Sequence, residues 1–404
     1  MVEWFKNTEI GAIPNDWDVK EFGELTDKII GGGTPSRSNP LFWGNEIPWV
    51  TVKDFATFKS TQTQEYITKE GLKNSASHLI PKGILITSTR MALGKTVIYD
   101  VDVSINQDLK AIFPKETIDT NFFYYWFQFN SKFIEDLGSG STVMGISLPD
   151  LKKIKIKLPT KVEQTAIATA LNDADALITQ LEKLIAKKKA IKQGAMLELL
   201  KPKEGWVEKN LGDIGVFKNG INKAIGDFGF GYPFVNLMDV FGKTNISTNL
   251  HLGLINSNSA DRKLYDLKEG DVVFIRSSVK PQGVGLTCVI KEDLIDTVFS
   301  GFIIRFRDNG ALTTSFKEHC FYSTDFRNRL ISSSTVSANT NINQVALSDL
   351  IISFPKEKEE QNRIASILSG MDLEILKLEV KLEKQKQLKQ GMMQSLLTGK
   401  IRLV

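Results

Sequence analysis

The chain has 404 residues, 42% hydrophobic and 24% charged, which supports sizeable cores and excludes a chain disordered throughout. Lysine and arginine total 51 against 47 acidic residues, a net charge of +4 that permits nucleic-acid binding without demanding it. The longest strongly apolar cluster, residues 122–129, is far shorter than the roughly 20 residues of a spanning helix, so no membrane is expected as a partner.

In chain order, the opening MVEWFKNTEIG lacks a basic start followed by an apolar core, so no signal peptide is expected. A first globular block follows, rich in strands with some helix. The run GILITS at 83–88 reads as a buried strand after a turn, and 122–133 as an aromatic-faced helix inside the block. After Pro159, Thr160-Lys161-Val162-Glu163 reads as a capping box that opens a long helix. Its seam is Ile167, Leu171, Ala174, Ile178, Leu181 and Ile185, and Lys201-Pro202 stops it. A second globular block carries the strand GDVVFI at 270–275. A second long helix starts after Pro355, with Glu357, Glu359 and Glu360 near its positive end. Its seam is Ile364, Leu368, Met371, Ile375, Leu378 and Leu382, and Gly399 caps it. About 40 helical residues make a rod of roughly 60 Å. The boundaries expected are therefore 1–158, 159–201, 202–355 and 356–404.

The two helical stretches are copies of each other. IKQGAMLELL at 191–200 matches LKQGMMQSLL at 388–397, and the same spacing relates Glu163-Gln164 to Glu360-Gln361 and Leu171, Asp175 and Leu181 to Leu368, Asp372 and Leu378. A weaker echo links Trp17, Pro48, Val50 and Asp54 to Trp206, Pro233, Val235 and Asp239. Elsewhere the blocks diverge. Each seam is apolar on one side and needs a partner; the other copy, laid antiparallel about a pseudo-two-fold axis, is the obvious one. The fold class expected is α/β (α+β), two unlike heads separated by two long coiled-coil-like helices. Alike helices with unlike heads suit a two-headed reader.

Catalytic patterns fail one by one. Leu93-Gly94-Lys95-Thr96 ends like a phosphate loop, but Thr89 stands where the first glycine is required, and Gly242-Lys243-Thr244 fails the same way at Leu237. Asn39-Pro40-Leu41-Phe42 lacks the second proline of an amino-methyltransferase loop, and no Gly-x-Ser-x-Gly elbow occurs. Cys288 and Cys320 form no CxxC, which fits a reducing cytoplasm, and His319 beside Cys320 has no further ligand at zinc spacing. No catalytic residue, cofactor site or metal site is expected in this chain.

Polar loops are the candidates for contact with double-stranded DNA. Gly33, Thr34, Ser36 and Arg37 lie in GGGTPSR, read as a flexible donor-rich loop. Ser88 and Arg90 follow the first strand, and Arg276, Ser277 and Lys280 follow its counterpart. Asn106, Gln107 and Lys110 offer amides and a cation, since amides pair with adenine edges. Ser139 and Ser141 in the first block match Ser333 and Thr335 in the second, with Asn341 beyond. Lys53, Lys218, Asn236 and Gln282 complete the set.

Taken together, the chain resembles the specificity subunit of type I restriction–modification systems. The carriers are Ile10-Gly11-x-Ile13-Pro14-x-x-Trp17, GGGTPSR, Ile47-Pro48-Trp49-Val50, Glu163-Gln164, the two KQG-x-M-x-x-LL endings and the terminal LTGKIRL at 397–403. The resemblance implies two target-recognition domains held apart by antiparallel helices, each reading half of a split DNA site. It implies two modification subunits, which methylate adenine with S-adenosylmethionine, and two motor-nuclease subunits, which use ATP and Mg²⁺. The helices would act as a ruler between half-sites, and the helix ends near Met196 and Met393 would touch partners, with Gly194 and Gly391 serving either close packing there or plain helix packing. Three rival readings are a cryptic nuclease that cuts unaided, a coiled-coil adaptor without DNA affinity, and the same subunit in an orphan or fused methylation system.

Overall fold

The computed structural model describes residues 5–138, 145–247 and 251–403. The chain forms two compact units, Met1–Glu182 with Val380–Val404, and Lys183–Glu379. The central helix, Lys161–Leu199, and the C-terminal helix, Lys358–Leu396, each give one half to either unit.

In the first unit, one sheet runs Thr26–Gly31, Leu109–Pro114, Leu85–Ser88, Thr96–Ile98, all antiparallel. A second runs Glu65–Ile67, Trp43–Val50, Val103–Ile105, Leu79–Ile80, with Trp43–Val50 and Val103–Ile105 parallel. Successive strand residues face opposite sides. Ile86 therefore joins Val50, Ile105 and Leu109 between the sheets, while Leu85 joins Phe122, Phe123 and Phe127 on the far side. Both faces are covered, which is why this strand reads as an unbroken apolar run. The aromatic helix stops at Phe129, earlier than its apolar pattern suggests. Asn130 leaves helical geometry and its amide bonds the Trp126 carbonyl at 2.8 Å, and a second helix follows, Ser131–Leu137.

The second unit repeats this plan. Its main sheet runs Gly215–Asn219, Ile303–Asp308, Val272–Ile275, Thr287–Ile290, with Asn245–Ile246 added at the edge. Its second sheet is Gly253–Ile255, Phe228–Val235, Val298–Phe299, again with one parallel pair. Val272 and Phe274 face one core and Val273 and Ile275 the other.

The helix halves run antiparallel in each unit, with one set of ion pairs used twice. In the first unit Asp175 pairs Lys389 and Glu182 pairs Lys386, both at 2.7 Å. In the second, Asp372 pairs Lys192, and Glu379 pairs Lys189 at 2.7 Å. Ile167, Ala168 and Leu171 join Leu396 and Leu397 in the first core, and Ile364, Ala365 and Leu368 join Leu200 in the second. Within the helices, Ile167, Leu171, Leu181 and Ile185 are buried along the expected seam, with Ala174 and Ile178 half-buried.

A buried glutamine fastens each helix start to its head. The Gln164 carbonyl accepts from the Asp119 backbone N–H at 2.9 Å, and its amide donates to the Pro159 carbonyl at 3.0 Å. Gln361 does the same with Thr313 N–H at 2.8 Å and Pro355 at 2.9 Å. Asp119 and Thr313 are themselves helix caps. The expected capping box at Glu163 is only half made. Its backbone N–H reaches Thr160 Oγ1 at 3.4 Å, but its buried carboxylate turns inward to the Trp17 indole N–H at 2.8 Å and to Arg402 Nε at 2.7 Å. A tertiary cation outcompetes the local backbone donor.

Two further expectations need correction. Gly31, Gly32 and Gly33 are not a flexible loop: a Cβ on Gly32 would lie 1.8 Å from the Ile105 carbonyl oxygen, and one on Gly33 would lie 2.7 Å from the Ala76 backbone. Glycine is needed here for close backbone approach. Gly194 and Gly391 are the reverse case for packing within the chain, since a Cβ on either meets nothing of this chain within 4 Å; a plain helix-packing role is the reading that falls. The nearby Met196 and Met393 pack half-buried on their own heads.

Candidate nucleic-acid interface

In the first head the turn after Leu85–Ser88 is wound tightly. The buried Ser88 hydroxyl donates to the Arg90 carbonyl and lies 2.9 Å from the Met91 carbonyl, while Met91 and Ala92 hold φ of 54° and 36°. Positive φ outside glycine is strained and marks functional turns. The turn leaves Arg90 exposed, its guanidinium 3.8 Å from Asp108. Arg90 bridges Gly145, and Thr89 O accepts from Ile146 N at 3.0 Å. Between them lies a cleft of about 600 Å³ lined by Thr89, Arg90, Gln107, Lys110 and the segment from Gly145 to Leu148.

Gln107 Oε1 accepts from the Thr34 hydroxyl at 2.6 Å. Lys110 donates to the Gln107 carbonyl at 2.9 Å, and burial holds its pKa below the usual lysine value. Asn106 is buried and bonded to Asp108, so it shapes the turn. Lys53 is exposed on the short turn Val52–Phe55.

Other first-head candidates stand apart from this cleft. Arg37 lies 3.8 Å over the Trp43 ring and bonds Glu65 with both guanidinium arms, which lowers the Glu65 pKa and raises its own. Ser36 pairs with Ser38 at 2.8 Å, and Gly33 is buried beneath Ala76 and Ser77. Ser139 and Ser141 lie outside the described residues.

The second head gathers its candidates on a small sheet. Ser277–Ser278 pairs Thr340–Asn341, which pairs Thr335–Val336, so Ser277, Asn341 and Thr335 stand in one row. Lys280 and Gln282 follow on the next turn. These loops wall a cleft of about 730 Å³ whose lining includes Met238, Phe241, Ser277, Val279, Lys280, Gln282, Phe302 and Asn339. Asn236 caps the neighbouring turn, its side chain accepting from Leu237 N at 2.7 Å. Arg276 is half-buried with Nη1 3.3 Å from the Gly301 carbonyl. Ser333 is exposed just past the helix Thr324–Ser332. Lys218 lies beside Arg305 on the main sheet, 5.6 Å from the Tyr265 ring and away from the cleft.

Backbone bonds fix the register between heads. Thr89 O and Arg276 O accept from Ile146 N and Ile342 N, and Asn106 N and Ser300 N donate to Val50 O and Val235 O. Thr51 and Asn236 are capped alike by Asp54 and Asp239. The matched positions are therefore Arg90 and Ser277, Lys53 and Met238, Gln107 and Gly301, Asp108 and Phe302. Sequence reading placed the runs after the two matching strands at corresponding places without fixing their register, and it overlooked Met238 and Phe302. The available signal was the alignment of Asp54 with Asp239, which places Met238 opposite Lys53.

Among the described residues no three His, Cys, Asp or Glu side chains gather to hold a metal ion. His319 Nε2 lies 2.9 Å from Ser369 Oγ, and burial pushes the Cys288 thiol up to about 12. Among the described residues no helix is long and apolar enough to cross a membrane.

The family model of the type I restriction modification DNA specificity domain matches residues 14–193 and again 203–390. The chain belongs to the type I restriction–modification DNA specificity family. It is a specificity subunit with two target-recognition domains, a DNA-recognition chain and not a catalytic one. Among relatives, the type I restriction enzyme MjaIX specificity subunit of Methanocaldococcus jannaschii is 29% identical over 68% of this chain and 69% of the relative. The EcoR124I/EcoR124II specificity subunit of Escherichia coli is 29% identical over 47% of this chain and 46% of its own length. The fold matches the type I S subunit of M. genitalium with a TM-score of 0.57 at 15% identity, over 94% of this chain and 96% of that one. A chain from a structure describing assembly and conformational transition of the type I system matches with a TM-score of 0.60 at 14% identity, over 96% and 99%.

Proposed function

We propose that this specificity subunit reads a split, asymmetric DNA site, one half with each head, and that its helices set the unread gap. The observation that carries the reading is one framework used twice with unlike residues at matched loop positions, Arg90 against Ser277, Lys53 against Met238 and Asp108 against Phe302. Like frameworks offer equivalent loops to a duplex, and unlike side chains make the two half-sites unlike. Pseudo-symmetric readers address half-sites about a DNA turn or its multiples apart, so the ion-paired helices are the spacing element.

In this reading two modification subunits dock on the helices and two motor-nuclease subunits join them, all in the cytoplasm. Ile191 with Gly194 and Leu388 with Gly391 are exposed at equivalent points, which supports two equivalent docking surfaces. The partners would supply adenine methylation from S-adenosylmethionine and ATP- and Mg²⁺-dependent translocation and cutting. This chain supplies the address. The test is a genome-wide map of N6-methyladenine with and without the gene. A split motif that vanishes on deletion is expected; a map unchanged by deletion would refute the reading.

A further inference from the structure

We infer that the second head reads A·T base pairs, seating the thymine methyl group on an apolar floor of Met238, Val279 and Phe302. The inference rests on the DNA-reading function proposed above and extends it by naming the bases.

A surface built for DNA is normally polar and cationic. The cleft of the second head departs from that. Met238 is 74% exposed, Val279 82% and Phe302 60%, and all three line it. Leaving so much apolar surface in water is unfavourable, so its burial favours an apolar ligand group. The same cleft is walled by the loops that carry Ser277, Lys280 and Gln282, so it is continuous with the polar DNA contacts. In the major groove of a duplex the apolar group on a base edge is the thymine methyl.

The rim fits the other base of that pair. Gln282 and Asn339 line the cleft, and among the described residues neither side-chain amide has an intramolecular partner. A side-chain amide matches the N6 and N7 edge of adenine, and the Lys280 ammonium suits a flanking phosphate. At matched positions the first head carries Lys53 and Asp108 in place of Met238 and Phe302, and its cleft holds Arg90 and Gln107. Arg90 and Lys53 suit a guanine edge, and neither offers an apolar seat for a methyl group. The heads thus differ in kind at the points where they would meet the bases.

The test uses the full chain in complex with its modification subunits. Methylation mapping gives the split motif, and Phe302→Asp identifies the half read by the second head as the half that changes. Met238→Lys makes the same assignment independently if Phe302→Asp loses the fold. Binding is then measured on a synthetic duplex of the mapped site with deoxyuridine replacing thymine, which removes the methyl group alone. Each replacement of a seated thymine is expected to weaken binding about fourfold, the worth of one buried methyl group. Replacements in the other half should leave affinity unchanged. The inference is overturned if deoxyuridine binds as well as thymine throughout the second half-site. Absence of any motif dependent on the chain would overturn the DNA reading itself, a distinct result.

Discussion

Single residues show how closely the two units follow one design and where they part. Tyr125 and His319 hold the same helix position relative to the caps Asp119 and Thr313. The Tyr125 hydroxyl bonds Asn172 and Asp175, both at 2.8 Å, whereas His319 meets Ser369 with Asp372, Glu318, Lys192 and Lys291 around it. Burial outweighs the two carboxylates and holds the His319 pKa below its usual 6.5. The unfolded chain then takes up a proton first, so the second unit loses stability as pH falls below about 6.5 and the loss stops once the folded imidazole also protonates. Urea melts between pH 5 and 8 should show that decline in the wild-type chain. His319→Tyr, which installs the residue of the first unit, should flatten it; an unchanged profile would mean that other groups set the dependence. At this scale the sequence was only partly legible. The long-range partner of Glu163, Arg402, lies far along the chain, so local spacing suggested a capping box instead. The glycines at 31–33 looked like a loop because the backbone that Gly32 and Gly33 pack against, at Ile105 and Ala76, lies far along the chain.

Helices and strands differ in how openly they declare themselves. The long helices were readable because one apolar period runs through each and recurs in a second copy. Their exposed glycines were not, because close packing and open space both leave a glycine in the sequence. Gly194 and Gly391 have nothing within 4 Å, so neither is needed by the chain itself. Alanine is favoured over glycine inside a helix by about 1 kcal/mol. Replacing both should raise the stability of the free chain by about 1–2 kcal/mol in denaturant titration. If modification subunits dock on these faces, the same double variant captures them less well; undiminished capture would place docking elsewhere. The strands of the heads were recognised singly, but the register between heads was not. It rests on backbone bonds such as Asn106 to Val50 and Ser300 to Val235, made by residues that share no side-chain likeness. Without that register, Phe302 and Met238 read as ordinary loop residues.

The whole molecule was legible as a duplicated chain with two heads and two long helices, and the faces proposed to read DNA were its hidden part. Each long helix passes from one unit into the other, and its charged residues are paired in both. A ruler built this way must be lengthened on both helices together. Inserting two helical turns between Lys183 and Lys192 alone would displace Lys189 and Lys192 from Glu379 and Asp372. Matched insertions there and between Val380 and Lys389 should widen the gap of the methylated motif and leave both half-sites unaltered; constant spacing would refute the ruler. The central claim is that each head reads its own half. The most direct measurement is a methylation map of cells carrying Arg90→Ala set beside one of cells carrying Phe302→Asp. The account predicts that each change alters or abolishes recognition at one half only, a different half for each variant, with the gap preserved. If one substitution altered both halves, or both acted on the same half, one head for one half-site would be contradicted.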